Sequence, residues 1–359
     1  MTEHNSLELG QTGPELTQTG NRKREHIDVI NRDPLVDRQQ HFFDAIQLQH
    51  RALPEIDLQD VDPSVMVMGK QLSFPLLISS MTGGDDELVK RVNRHLAEAA
   101  QITGVAMGLG SQRVMLEQPE AIASFQVRDF APDILLLGNL GAVQLNNGVT
   151  PDQVRGMLAA VQADALFLHL NPLQEAVQPE GDTNFAGLAK RIGELQAALD
   201  VPVVLKEVGA GLSVADIELG LAQGIKWFDV AGRGGTSWAR IEQHRRKDAS
   251  ELGFTLQDWG IPTPIAMQQA RPYMGQANFI ASGGLRNGLD LVKSVIIGGC
   301  LGGVAKPLLA PAMESTEAVV AAIESLKKEF VTAMFLLSTQ NVADLRLNDT
   351  LLMPSMPAK

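Results

Sequence analysis

The chain has 359 residues, a formal charge of −12 and a pI near 5.1, and 45% of it is apolar, enough for a large core. That charge argues against a surface built for nucleic acid or an anionic membrane, so an anionic ligand has to be met by locally placed Lys and Arg. Cys300 is the single cysteine, which rules out an internal disulfide and argues against a cysteine-built metal site.

Residues 1–20 are polar, with neither the apolar core of a secretory signal nor the Arg-rich pattern of a transit peptide, and no uncharged apolar run reaches membrane-spanning length. A soluble cytoplasmic protein is expected, with a disordered leader over 1–20 and a single domain over 21–359. The cluster Asn21-Arg22-Lys23-Arg24-Glu25-His26-Ile27 sets three adjacent cations beside a carboxylate and an imidazole. It reads either as a solvated helix start or as a phosphate clamp, in which a guanidinium forks onto phosphate oxygens and an ammonium adds a point charge. Residues 44–58 read as irregular, and Pro54 and Pro63 suit a covering segment better than a regular element.

From Phe74 onward strand-like and helical patterns alternate. Strands are expected at 75–80, 105–108, 134–137, 165–168, 203–206, 227–230, 278–281 and 301–304. A helix is expected at 86–102, where Leu88, Val92, Leu96 and Ala99 share a stripe, and another near 119–127. Thr150-Pro151-Asp152 caps a helix through Val161, and further helices are expected at 185–199, 214–223, 264–270, 289–297 and 317–337. About eight strand-then-helix units fit an α/β fold of the (β/α)8 TIM barrel type better than a doubly wound sheet, and no GxGxxG follows the first strand.

In such a barrel the residues after each strand share one face, where active sites sit. The most informative stretch is His169-Leu170-Asn171-Pro172-Leu173-Gln174-Glu175, continuing to Pro179-Glu180-Gly181-Asp182, because a buried apolar strand ends there in groups able to bind metal, hydroxyl or phosphate oxygens. Gly234-Gly235-Thr236, Ser282-Gly283-Gly284-Leu285-Arg286 and Ala305-Lys306 follow the last three strands, and glycine there lets backbone N–H groups and helix N-termini approach a phosphate. Lys206 ends an apolar strand and needs an anionic neighbour. It reads as a Schiff-base lysine, as a cation beside the pyrimidine edge of a flavin, or as an ion pair with Glu207 or another barrel carboxylate.

Together with Arg22-Lys23, Glu25-His26, Met81-Thr82-Gly83-Gly84, Gly110-Ser111-Gln112-Arg113 and Lys206-Glu207-Val208-Gly209, these motifs resemble the type 2 isopentenyl-diphosphate isomerases, flavin-dependent enzymes unrelated to the type 1 metalloenzymes. The resemblance runs from about Asn21 to Lys306, and the Gln174-Glu175 pair with its Pro-Glu-Gly-Asp continuation is its most specific part. It implies interconversion of isopentenyl and dimethylallyl diphosphates with FMN, a divalent metal (usually Mg2+), and NADPH to reduce the flavin without net redox change. It further implies flavin contacts from Ser80, Met81, Thr82, Ser111, Asn139, Lys206 and Thr236, with Gly284, Leu285, Arg286, Ala305 and Lys306 about its phosphate. Arg22, Lys23, Ser111, Gln112, Arg113 and Gln174 resemble the substrate contacts, Glu175 the metal ligand, and His169 a supporting group. No side chain is singled out as the catalytic base, since the reduced flavin is expected to donate or relay the proton.

Other readings remain. An FMN-dependent 2-hydroxy-acid oxidase needs a histidine base beside an arginine, but after the sixth barrel strand Arg233 is followed by no histidine until His244. A flavin-free aldolase using Lys206 and a non-catalytic flavin or prenyl-diphosphate binder are further alternatives. Residues 238–260, with the run His244-Arg245-Arg246-Lys247, are too long for a strand-to-helix turn and read as a solvated insertion, a subunit contact, or a lid. The Met334–Leu337 end of the last helix is expected to pack on a neighbouring subunit, in keeping with the homo-oligomers (tetramer or octamer) that the resemblance implies.

Overall fold

The computed structural model describes residues 18–81 and 86–353, without the side chains of 18–24 and 119–120. Most of the expected leader therefore lies outside the described residues. The chain opens with helix α1 (Gln18–Arg32) and a short antiparallel hairpin, β1 (Val65–Val67) and β2 (Lys70–Leu72). Strand and helix then alternate through β3 (Leu76–Ile78), α2 (Glu87–Thr103), β4 (Ala106–Gly108), α3 (Arg113–Glu117), β5 (Leu136–Gly141), α4 (Pro151–Val161), β6 (Ala165–His169), α5 (Pro172–Val177) and α6 (Leu188–Ala198). The second half runs β7 (Val203–Lys206), α7 (Val214–Ala222), β8 (Trp227–Asp229), α8 (Trp238–Arg245), α9 (Leu252–Thr255), α10 (Thr263–Ala270), β9 (Asn278–Ser282) and α11 (Gly288–Ile296). It ends with β10 (Leu301–Val304), α12 (Lys306–Glu314), α13 (Thr316–Leu336) and α14 (Val342–Leu345). Strands β3 to β10 pair in parallel and β10 closes on β3, which is the (β/α)8 barrel expected from the alternation.

Local chemistry sets the helix ends. Asp86 accepts from the Leu88 N–H at 2.8 Å to start α2, and Gly104 ends it in the left-handed region at φ 67°. Thr150 and Gln153 form a reciprocal capping box on α4, with Pro151 at the first helical position, as the sequence predicts. The barrel strands are almost entirely buried because helices cover their outer faces, and each fully buried Val, Leu or Ile side chain contributes roughly 1.5–3 kcal/mol.

Inside the barrel, Leu77, Leu135, Ala165, Phe167 and Leu301 pack against Val67 and Leu72 of the hairpin. Leu135 immediately precedes β5, and Ala165 and Leu301 begin β6 and β10, so the hairpin plugs the amino-terminal end and leaves ligand binding to the other. Residues 44–58 hold no strand or α-helix, as expected, and the hairpin follows them at 65–72, where no element was expected. The helix expected near 119–127 is a six-residue 3-10 helix, Pro119–Ser124, following α3. At the end of the last long helix Met334 and Leu337 are buried within their own chain, Phe335 is half-buried and Leu336 is 40% exposed. Among the described residues no helix is long and apolar enough to cross a membrane.

Candidate active site

A cleft opens at the carboxyl ends of the strands. It is lined by Ser80, Met81, Ser111, Asn139, His169, Gln174, Lys206, Thr236, Gly284, Leu285, Arg286, Ala305 and Lys306, which gathers thirteen of the expected site residues. Thr82 lies outside the described residues. Arg22 and Lys23 fall within α1, but their side chains also lie outside the described residues.

The floor follows from strand register. Gly141, His169, Lys206 and Asp229 are successive partners across β5, β6, β7 and β8, so the last three residues lie side by side, with His169 and Lys206 reaching the cleft. Asn139 Nδ2 donates to Ser80 Oγ at 2.8 Å and to Leu109 O at 3.0 Å, which turns its Oδ1 toward His169 Nδ1 at 2.7 Å. That contact places the His169 proton on Nδ1. Lys206 Nζ donates to Glu207 O at 2.8 Å and faces Asp229 Oδ2 at 3.1 Å, with the Phe167 ring centroid 5.3 Å away. The ion pair forms with the barrel carboxylate Asp229. Glu207 instead accepts through one oxygen from the N–H groups of Val208 and Gly209 (both 2.6 Å), Ala210 and Gly211 (3.1 Å), while burial pushes its carboxyl up. Lys206 thus has the anionic neighbour that its place at a buried strand end requires.

One end of the cleft is a cradle for an anion. Gly283 sits at φ +95°, and a Cβ there would lie 2.1 Å from Gly232 O, so no other residue fits without moving backbone. Thr263 Oγ1 bridges Ser282 O at 2.9 Å and Gly283 O at 2.6 Å, fixing the loop from below. Arg286 donates to Gly234 O at 3.1 Å, and both Arg286 and Lys306 pair with Asp37, the latter at 3.0 Å. Asp37 was not among the expected site residues. Its segment arrives through backbone bonds to the loop after β8, Ser237 N to Val36 O at 2.8 Å and Arg38 N to Gly235 O at 3.2 Å. Arg38 fastens it there by donating to Gly209 O, Thr236 O and Gln257 O, and burial pushes its guanidinium down to about 10.

The other end is a charge network. Glu242 on α8 is fully buried and receives Gln174 Nε2 at 2.7 Å, Arg245 Nη1 at 2.6 Å and His26 Nε2 at 3.1 Å. Burial alone would raise its carboxyl, yet those hydrogen bonds win and hold it down at about 2. Arg245 also binds Glu25 at 2.9 Å and Glu180 at 2.6 Å, so α8, α1 and the loop after α5 meet on one guanidinium. Trp238 of this segment lines the cleft beside His26 and Gln174, Glu242 and Arg245 stand behind them, and Lys247 to Ala249 are exposed. Glu242 was missed because, apart from Arg245 one helical turn away, its partners at 26 and 174 are gathered only by the fold.

Three expected residues stand off the cleft wall. Gln112 is fully buried, with Oε1 accepting from Asn139 N at 2.8 Å and Nε2 donating to Met115 Sδ at 3.1 Å, so it supports Asn139 from behind. Arg113 binds Asp182 at 2.8 Å and Glu117 at 2.9 Å at the rim. Glu175 is half-buried, accepting from Asn171 Nδ2 and from Asp182 N, each at 2.7 Å. Gly181 allows the second contact, since a Cβ there would lie 1.9 Å from Glu175 O. No group of three or more His, Cys, Asp or Glu able to hold a metal gathers among the described residues. One carboxylate suits a hard cation that keeps waters and takes phosphate oxygens as its other ligands.

Comparison with known proteins agrees with this geometry. Residues 142–351 match the FMN-dependent dehydrogenase family. The chain is 56% identical to the isopentenyl-diphosphate delta-isomerase of Hydrogenovibrio crunogenus, over 93% of this chain and 98% of that protein. It is 53% identical to the enzyme of the same name from Paracoccus zeaxanthinifaciens, over 92% and 96% of the two chains. The flavin-binding domain of flavocytochrome b2 from baker's yeast superposes with a TM-score of 0.62 at 17% identity, covering 96% of this chain and 83% of that one, a likeness of fold. The chain belongs to the FMN-dependent, type 2 isopentenyl-diphosphate delta-isomerases.

Proposed function

We propose that the chain interconverts isopentenyl and dimethylallyl diphosphates by a 1,3-proton shift, with FMN lying along the cleft, Mg2+ on the substrate diphosphate and NADPH as the reductant. The observation that carries this reading is that one cleft joins a glycine and cation cradle, Gly283 to Arg286 with Lys306, to a floor of Ser80, Asn139, His169 and Lys206 and a polar wall at Gln174. The cradle fits a phosphate because a Cβ at Gly283 would close it, and the floor fits a flat ring edged by hydrogen-bonding groups. Bound and reduced, FMN supplies a proton and an electron-rich face toward the substrate.

The side chains do the rest. Protonation of an unactivated alkene at its terminal carbon gives a tertiary, carbocation-like centre, which then loses a proton from the carbon next to the diphosphate-bearing arm. Such a centre needs shielding from water, and Met81 and Trp238 supply apolar wall on that cleft. Gln174, fixed by Glu242, orients the alkene end, and His169 is held at Nδ1 by Asn139. Arg22, Lys23, Ser111 and Arg113 grip the diphosphate, while Glu175 holds the magnesium, with Gln112 acting through Asn139. A cytoplasmic homo-oligomer, tetramer or octamer, completes the proposal, and mass in solution checks it.

The oxidase alternative has less support. Its histidine base would have to come from His244, which is bound to Asp33 at 2.7 Å and does not line the cleft. The test is an anaerobic assay with reduced FMN, Mg2+ and isopentenyl diphosphate, repeated with Glu175→Gln and Lys206→Ala. The expected result is turnover in the parent protein, loss through a raised metal requirement in the first variant, and weakened or electronically altered flavin in the second. Unimpaired turnover in both would overturn the site assignment.

A further inference from the structure

Beneath the cleft lies a buried acid to which no role has yet been given. Asp229 ends β8 with its side chain 0% exposed, beside Lys206 at 7%, and the two are register partners. Its Oδ2 faces the Lys206 ammonium at 3.1 Å. Its Oδ1 accepts from Ser282 Oγ at 2.6 Å and from Ala231 N at 3.2 Å. Ser282 belongs to β9, so one carboxylate ties together the ends of three successive strands. Glu207, the nearest acid in sequence, points its charge into the turn at 208–211 and leaves Asp229 as the carboxylate paired with Lys206 among the described residues.

Lys206 and Ser282 reach the cleft while Asp229 does not. Anything lying on that floor therefore meets a cation whose field is offset by an anion directly behind it. Little solvent is present to screen either charge, so the offset is strong.

We infer that Asp229 lowers the electron affinity of the bound flavin by offsetting the charge of Lys206. This rests on the reading that the flavin ring lies over Lys206, and it adds a residue that touches neither ring nor substrate. Reduction adds two electrons and leaves the ring with more negative character, which a lone ammonium beneath it would favour. Asp229 withdraws much of that favour. The reduced ring is consequently harder to form and more electron-rich once formed, which suits a surface that must face a carbocation-like centre. Ser282 acts in the opposite sense, since its hydroxyl proton spreads the carboxylate's charge.

The experiment is a measurement of the flavin midpoint potential in purified holoenzyme by equilibration with a reference dye under dithionite, at a single pH. Asp229→Asn removes the charge and keeps the shape, and the expected result is a yellow protein whose potential moves upward. Asp229→Glu, which keeps the charge, is expected to return it toward the parent value. Ser282→Ala concentrates the negative charge on Asp229 and is expected to move the potential downward, and it carries the test alone should Asp229→Asn not fold. A merely structural role would leave the potential in place while lowering stability. Unchanged potentials, or a downward shift in Asp229→Asn, would overturn the inference. A parent protein that binds no FMN at all would sink the cofactor reading instead.

Discussion

The two ends of the cleft are built in different ways. The cradle at Gly283, Gly284 and Lys306 consists of backbone from loops after adjacent strands, with Arg286 and Lys306 added at the edge. The wall at Glu242 consists of side chains, from α8, α1 and the segment around Gln174, whose contacts span 220 residues between Arg245 and Glu25. A backbone-built site tolerates no change of shape, because it has no rotamers through which to relax. A charge-built site tolerates changes of shape more readily than it tolerates a missing charge.

The sharpest way to break the first end is Gly283→Ala. The new Cβ would meet Gly232 O, a backbone atom held in the barrel, and the residue would be held at φ +95°. Strain of this kind costs about 3 kcal/mol, which corresponds to about 100-fold in affinity. Fluorescence-quenching titration should show FMN binding falling toward the affinity of riboflavin, which lacks the phosphate. Riboflavin binding itself should change little, and an equal loss for both ligands would mean that the cradle does not hold the phosphate.

Breaking the second end calls for removal of charge. Glu242→Gln keeps the volume but strips the anion from Arg245 and His26, and a buried pair broken on one side loses on the order of 3 kcal/mol. Urea unfolding should register that loss at neutral pH, while FMN affinity stays near the parent value and the KM for the diphosphate rises. The carboxyl is held at about 2, below its ordinary 4.5. Its stabilisation is therefore complete above pH 4.5 and disappears as pH falls from there to about 2. Parent and variant stabilities should converge over that window, and a gap that persisted at the acid end would show that Glu242 acts by packing alone.

The same division explains what could be read in advance. All eight barrel strands were legible because each is a buried apolar run that stops at a polar break, and the cradle was legible because its glycines follow those breaks. The hairpin was not, since three-residue strands offer little periodicity, although the Met68-Gly69 turn, with φ of 48° and 78°, was a usable signal. That Gln112 turns inward behind Asn139 was not legible, because its neighbours Ser111 and Arg113 turn outward and nothing in the local sequence says that the residue between them turns in. Asp37 and Asp229 carried no local mark, each being an acid whose cationic partners become neighbours only after the barrel closes, and Glu242 carried only an ordinary helical pair with Arg245 one turn on, its contacts to His26 and Gln174 being made by the fold.

The comparison can be sharpened with a smaller change at the outer edge of the charged wall. Asp33 follows α1 and receives Arg240 Nε at 2.5 Å and His244 Nε2 at 2.7 Å from α8, with its own side chain 12% exposed. Burial raises its carboxyl, but hydrogen bonds from Arg240 and His244 hold it at about 2. Asp33→Asn keeps a hydrogen-bonding group in place and loses only the charge, so the cost in stability is about 1 kcal/mol. If α8 positions α1, and α1 brings Arg22 and Lys23 to the diphosphate, the variant should show a modestly raised KM with kcat and flavin affinity unchanged. A fall in kcat at unchanged KM would place Asp33 in the support of Gln174 and Glu242 instead, and would make the charged wall one cooperative unit rather than an inner and an outer layer.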